Sequence, residues 1–302
     1  MKKMVSLISA VLLTTVIFAG CSSKDSSSGT ESNPTANPSG APSANLSGNV
    51  KTGGSTSVEK VMTALIFQFQ EDNKNVKIDY EMNGSGDGIK NTISGMYEIG
   101  HSSRELKTDG TEDGLKETAY AIDGIAIVVN KENGAENLTK EQIKDIYTGK
   151  IKNWKEVGGK DAQITVVTRE SGSGTRSAIA EIIGLEKKDK DENVDKSTEI
   201  VAEATVADST GAIQTTVSQN ANAIGYMSFS DVDTAKVKTV KYEGVEISTA
   251  TLKDGTYKLK REFYLLMKEG AALSPAAEAF VDFVMSTEGQ KIVSDNKLLS
   301  IK

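Results

Sequence analysis

Along residues 76–82 the chain alternates: Val76, Ile78, Tyr80 and Met82 are apolar, while Lys77, Asp79 and Glu81 are charged. A period of two predicts a strand with one buried face. The turn Asn83-Gly84-Ser85-Gly86-Asp87-Gly88 follows, and then Ile89, Ile93 and Met96 fall at helical spacing. The same succession recurs farther on. Residues 163–168 are β-rich, Arg169-Glu170-Ser171-Gly172-Ser173-Gly174-Thr175 is a turn, and Ile179, Ile182 and Ile183 continue with a helical period. A third instance runs through residues 48–57 into Val58, Val61, Met62, Leu65, Ile66 and Phe69, an amphipathic helix whose preceding strand has Val50 nearly alone. Residues 124–130 and 223–229 read as further strands, 138–149 as a helix ending at Gly149, and 274–295 as a terminal helical region. Strands alternating with helices predict α/β units with parallel pairing.

The first 48 residues stand outside this pattern. Met1-Lys2-Lys3, an apolar run over 4–19 and Gly20-Cys21 have the layout of a secretory signal over 1–20. The run is too short, and too interrupted by Ser6, Ser9, Thr14 and Thr15, for a membrane span. Phe18-Ala19-Gly20-Cys21 resembles the lipobox of bacterial lipoproteins, with Phe18 where leucine is usual. That resemblance implies a lipid on Cys21, hence a chain anchored to the cell membrane on its extracytoplasmic face. Cys21 is the only cysteine, so no intrachain disulfide forms. Residues 22–48 hold three of the four prolines among Ser, Gly, Asn and Ala, and such a segment cannot bury enough apolar surface to order itself. With Cys21 it reads as a lipidated, disordered tether over 21–48.

Composition narrows the chemistry. The net charge of −7 becomes −9 once Lys2 and Lys3 leave with the leader, and no basic run is present. Nucleic acid is excluded as a partner. With one cysteine and one histidine, neither a metal site nor another cofactor is expected. Against this acidity the stretch Arg169–Arg176 places two arginines around a turn of glycines and hydroxyls. Any anion held there must be held by local contacts.

All three Gly-Ser/Thr turns fall where a strand ends and a helix begins, the usual ligand edge of an open α/β sheet. Free N–H groups of a first helical turn, with hydroxyls beside them, form an oxyanion cage. Each turn singly is also an ordinary helix cap, and Thr56 with Glu59 has capping-box spacing. No Walker lysine follows the Gly-x-Gly patterns, and no G-x-S-x-G elbow surrounds Ser173. His101 alone could be an imidazole base and reads as a spacer or core-edge residue, so no enzyme is expected. Trp154 reads as a packing residue.

Several motifs now occur in a specific order: "GGSTSVEKVMTALIFQF", "NGSGDGIKNTISG", "EIGHSSRELK", "AIDGIAIVVN", "LTKEQIKDIYTGKIKNWKEVGG", "ITVVTRESGSGTRSAI" and "NAIGYMSF". Together they resemble the phosphate-binding proteins of bacterial phosphate ABC transporters, from about residue 49 to the end. The resemblance implies an α/β, two-lobed periplasmic-binding-protein type II fold with two crossing segments and a central ligand cleft. Lobe 1 would comprise 49–130 plus 228–302, and lobe 2 131–227. It implies inorganic phosphate as ligand, membrane permease subunits as partners, and a monomer. By the same resemblance Ser55, Thr56, Ser57 and Ser85 contact phosphate from the first lobe, and Arg169, Ser173, Gly174 and Thr175 from the second. Ser103 and Arg104, in the Ser-Ser-Arg of this branch, are further contacts. Two positions depart from the family pattern. A carboxylate that would orient the arginine is replaced by Ser171, with Glu170 the nearest substitute. The aspartate that accepts phosphate's proton is replaced by Ser103, with Asp123 and Asp87 as candidate replacements. A surface phosphate sensor or adhesin, or another tetrahedral oxyanion as ligand, are the alternatives this reading leaves open.

Overall fold

The computed structural model describes residues 46–185 and 199–302. The expected leader, Cys21 and the expected tether up to residue 45 lie outside the described residues. In chain order the first elements are β1 (Ser47–Gly54), α1 (Glu59–Asp72), β2 (Asn75–Met82), α2 (Ser85–Ile93), β3 (Ile99–Ser102) and β4 (Leu115–Asn130). There follow β5 (Asn137–Leu138), α3 (Lys140–Tyr147), β6 (Thr165–Arg169), α4 (Gly174–Ile183), β7 (Thr205–Ala207), α5 (Thr210–Gln219) and β8 (Ala223–Ser228). The last are β9 (Val237–Thr239), β10 (Lys241–Tyr242), α6 (Thr249–Lys253), β11 (Lys260–Lys268), α7 (Pro275–Val284), α8 (Thr287–Asp295) and β12 (Leu299–Ser300).

The three strand-turn-helix units form as the pattern predicts. In α1 the buried side chains are Val61, Met62, Leu65, Ile66 and Phe69, one stripe at helical period. The strand before it is stronger than its sequence suggested. β1 pairs in parallel with both β2 and β3, and begins at Ser47 because Ser47 and Gly48 already face Asn75 and Val76. Its glycines are there for closeness rather than for strand propensity: a Cβ on Gly53 would lie 2.7 Å from the Glu81 carbonyl oxygen and 2.8 Å from the Tyr97 ring. The expected helix over 138–149 is α3, closed at its start by a reciprocal Thr139–Gln142 capping box. The expected terminal region is two helices, because Ser286 starts a new one by accepting from Gly289 N at 3.1 Å.

One continuous sheet has the order β2-β1-β3-β11-β4-β8-β6-β7. Its centre is β4, a long strand that changes partner part-way. Residues 115–124 pair antiparallel with β11, and residues 125–129 with β8. Two main apolar clusters lie on either side of that change. One gathers Val50, Met62, Leu65, Phe69, Ile99, Phe263, Leu265 and Phe280. The other gathers Ile125–Val129, Ile143, Trp154, Val167, Ile179, Ile213 and Tyr226, and extends through Val240, Leu252 and Leu259. Trp154 is thus a core side chain, its Nε1 donating to the Asn222 carbonyl at 2.9 Å.

Parallel strands fix where the loops meet. β1 and β2 run side by side and deliver the turns at Gly54–Ser57 and Asn83–Ser85 to one edge. β6, β7 and β8 are likewise parallel and deliver Arg169–Ser173 and Asp208–Thr210. The two edges face one another across β4 and β11, so Gly86 N donates to the Gly172 carbonyl at 3.0 Å.

Candidate anion-binding site

The capping function of the turns is real. Ser55 accepts from Ser57 N at 3.2 Å, Ser173 from Arg176 N at 3.2 Å, and Ser209 from Ala212 N at 3.1 Å. The cap of the first turn is therefore Ser55, not Thr56. Capping does not exhaust these residues, because their neighbours' hydroxyls converge. Ser55 Oγ donates to Ser103 Oγ at 2.9 Å, and Ser103 Oγ lies 3.2 Å from Ser85 Oγ. Ser57 Oγ lies 2.8 Å from Thr175 Oγ1 and 3.1 Å from Thr210 Oγ1. Thr56 Oγ1 accepts from Thr210 N at 3.3 Å. Every one of these side chains is buried. Four helix starts, those of the turn before α1 and of α2, α4 and α5, thus bring hydroxyls to one buried cluster. Helix starts carry unpaired N–H groups and partial positive charge, so the cluster is shaped for an anion.

One full cation enters it. Arg169 is 2% exposed, and its Nη2 donates to Thr56 Oγ1 at 3.1 Å while Nη1 approaches Thr210 Oγ1 at 3.4 Å. Glu170 holds it from the other side, accepting from Nε at 2.7 Å and from Nη2 at 2.8 Å. Glu170, the nearest substitute for the family's carboxylate, thus does orient the arginine. It reaches because β6 ends at Arg169 and Glu170 already lies in the turn.

Gly174 sits in the narrowest place. A Cβ there would come 2.5 Å from Ser103 Oγ and closer still to Ser85 Oγ, with Ser85 Cβ at 3.1 Å. Only glycine lets the start of α4 approach the opposite hydroxyls this closely.

The sequence of this site and its frame have known counterparts. The profile of the PBP superfamily domain matches residues 39–288. The phosphate-binding protein PstS of Bacillus subtilis is 31% identical over 259 residues, covering 84% of this chain and 81% of that protein. The chain belongs to the PBP superfamily and to its phosphate-binding protein family. Two solved structures are also similar. One, from Clostridium perfringens, is assigned as a phosphate ABC transporter substrate-binding protein with bound phosphate; it is 43% identical with a TM-score of 0.78, over 84% of this chain and all of that one. The other is an ABC-type phosphate transport receptor from Vibrio cholerae, 32% identical with a TM-score of 0.67, over 83% of this chain and 99% of that one. The fold is the α/β type II fold of periplasmic binding proteins, as the motifs implied.

Not every residue expected at the site of this PBP-superfamily chain is in the cluster. Ser55, Thr56, Ser57, Ser85, Ser103, Arg169 and Thr175 are brought together by the contacts above, with Gly174 among them and Ser173 engaged as the cap of α4. Arg104 is not brought in. Its guanidinium makes paired hydrogen bonds to Glu112, 2.8 Å from Nη1 and 2.5 Å from Nη2, and is drawn away from Ser103. That grip, with burial working against it, holds the Glu112 carboxyl below its ordinary range. Asp123 is also committed elsewhere. It accepts from Arg261 Nη2 at 3.0 Å and Nε at 3.2 Å, and from Ser228 Oγ at 2.8 Å. Burial raises its carboxyl to about 6, opposed by Arg261. Asp87 is exposed on α2.

Two contributors escaped the sequence reading. Thr210 lies in Asp208-Ser209-Thr210-Gly211, a fourth strand-turn-helix whose strand, β7, is too short to show a period. Arg261 supports Ser103 from behind, its Nη1 donating to the Ser103 carbonyl at 3.4 Å. His101 is wholly buried and not at the cluster's face. Its Nε2 meets Thr52 Oγ1 at 2.5 Å, and its carbonyl accepts from Ser55 N at 3.0 Å. Burial lowers its ring to about 3, so it is neutral near neutral pH and supplies no charge.

Proposed function

We propose that this chain captures inorganic phosphate between two lobes and delivers it to the membrane permease of an ABC importer. The observation that supports this best is the buried Arg169 guanidinium, set among hydroxyls from four helix starts on facing edges of the sheet. Relatives at 31–43% identity named for phosphate support the ligand. The lobes follow the apolar clusters, with lobe 1 formed by residues 46–124 and 260–302, and lobe 2 by the described residues between 125 and 259. Those borders lie inside β4 and before β11, earlier and later than the sequence motifs alone placed them. Charge-assisted hydrogen bonds contribute roughly 1.5–3 kcal/mol each, so a few suffice for micromolar affinity after desolvation of the anion. Contacts shared by both lobes favour the closed form, which a permease can recognise.

The chain acts by binding and not by catalysis. Ser173 Oγ is taken up as a cap, and the His101 ring faces Thr52 rather than a nucleophile. A lipid on Cys21 would hold the monomeric protein at the extracytoplasmic face of the membrane; among the described residues no helix is long and apolar enough to cross one. Titration calorimetry of the mature chain with phosphate tests the reading. Saturable binding that disappears in Arg169→Ala, with thermal unfolding still cooperative, is the expected result. Unchanged affinity in that variant removes Arg169 from the site, and no binding by the parent ends the proposal.

A further inference from the structure

We infer that Arg261 is a positioning residue of the anion site: gripped by Asp123 where the chain passes between the proposed lobes, it fixes Ser103 at the hydroxyl cluster and sets a further buried cation behind it. The inference rests on the proposed function for the place of the ligand.

The pair is built into the sheet. Arg261 on β11 and Asp123 on β4 stand directly opposite one another, and both are buried. Asp123 Oδ2 accepts from Arg261 Nη2 at 3.0 Å and from Nε at 3.2 Å. Its Oδ1 accepts from the hydroxyl of Ser228, the last residue of β8, at 2.8 Å. One carboxylate therefore joins β4, β11 and β8 just before β4 changes partner. The guanidinium also lies over the Phe263 ring, its Cζ 5.2 Å from the ring centre. Held in this way, Arg261 directs Nη1 to the Ser103 carbonyl at 3.4 Å.

Exchanging a buried ion pair for neutral groups is often harmless to stability, so the fold alone does not call for one here. What the pair reaches is the site. Ser103 Oγ lies between the hydroxyls of Ser55 and Ser85. Its main chain is held at two points: the N–H donates to Ser85 Oγ at 3.1 Å, and the carbonyl accepts from Arg261. Ser85 is itself in the cluster, so Arg261 is an anchor from outside it. A hydroxyl that is to meet a ligand must be held within about 0.5 Å of its place, and a charged, buried anchor does this better than a mobile loop. The charge matters as well. Burial lowers the Arg261 pKa, Asp123 opposes that, and Arg169 lowers it further, so the two guanidiniums feel one another. An anion in the cluster answers to both, because charges in the interior are weakly screened.

The test is calorimetry with phosphate, and urea unfolding without it, on the mature chain and three variants. The double variant Asp123→Asn with Arg261→Gln removes both charges and leaves no member of the pair behind as an uncompensated ion. It is expected to unfold near the parent's midpoint and to bind phosphate about tenfold to a hundredfold more weakly. Arg261→Lys keeps the charge and a donor for the carbonyl, and should bind at least about threefold more tightly than the double variant. Asp123→Asn alone leaves Arg261 on Ser103 and should lose less affinity than the double variant. Parental affinity in the double variant, whatever its midpoint, or its failure to fold, would reduce the pair to a prop of the fold and overturn the inference with phosphate capture standing. An equal loss in Asp123→Asn and the double variant would give the positioning role to the carboxylate, and Arg261→Lys no better than the double variant would deny the charge its part; either overturns the inference too. No phosphate binding by the parent ends the proposed function and the inference with it.

Discussion

Replacing Gly174 with alanine isolates ligand binding from folding. In the closed arrangement the new methyl would stand 2.5 Å from Ser103 Oγ and nearer still to Ser85 Oγ. Ordinary contact begins near 3.4 Å, so the facing hydroxyls must retreat by about 1 Å or the lobes must stop short of closing. Gly174 itself is the first residue of α4 and needs no left-handed backbone. Alanine is therefore neutral or slightly favourable to the lobe that carries it, by at most about 1 kcal/mol. Overpacking costs about 1–3 kcal/mol, and a displaced hydroxyl forfeits about 1 kcal/mol of hydrogen bonding. With the lobe borders proposed above, Ser85 and Ser103 belong to the opposite lobe, so this cost applies only when the cleft is shut on its ligand. Phosphate affinity should fall between about thirtyfold and about a thousandfold, while thermal unfolding without ligand stays near that of the parent. Calorimetry and ligand-free melting curves measure the two separately. Parental affinity in Gly174→Ala would show that closure does not bring α4 to these hydroxyls. A large loss of ligand-free stability would show that the cleft is shut even when empty.

Other outcomes follow from single contacts. Glu170→Gln keeps the size of the side chain but loses the charge that grips Arg169 at two nitrogens; affinity should drop about tenfold, with melting unaltered, and an unchanged binding isotherm would show that the turn orients Arg169 without help. His101 supplies a pH dependence of stability. Its folded value, about 3, lies below the ordinary 6.5, so below pH 6.5 the unfolded chain takes up a proton that the folded one refuses. Stability is complete above that pH and is lost as pH falls towards 3. Between pH 7.5 and pH 5 the loss from this group is about 2 kcal/mol. In His101→Gln that component should vanish, measured by urea unfolding at both pH values; an equal loss in parent and variant would assign the acid sensitivity to other groups.

What the sequence decided by itself was local. Periods of two and of 3.6 through residues 76–96, 163–183 and 58–69 located three strand-turn-helix units, because alternation and helical spacing are properties of a few neighbouring residues. It did not disclose β11, whose alternation breaks at a register shift between Phe263 and Tyr264 and whose two faces are buried in different clusters. Nor did it disclose the strength of β1, which comes from neighbours pressing on Gly53 and Gly54 rather than from its own side chains. The motifs named most of the hydroxyls, since each sits at a helix start that its own sequence specifies. Which charges those hydroxyls would meet was decided only in three dimensions. Arg104 adjoins Ser103 in sequence yet turns to Glu112, Asp123 is claimed by Arg261 from 138 residues away, and Thr210 reaches Ser57 across 153. A charged side chain goes to the partner that best offsets its desolvation, and that partner is chosen by the fold, not by position along the chain.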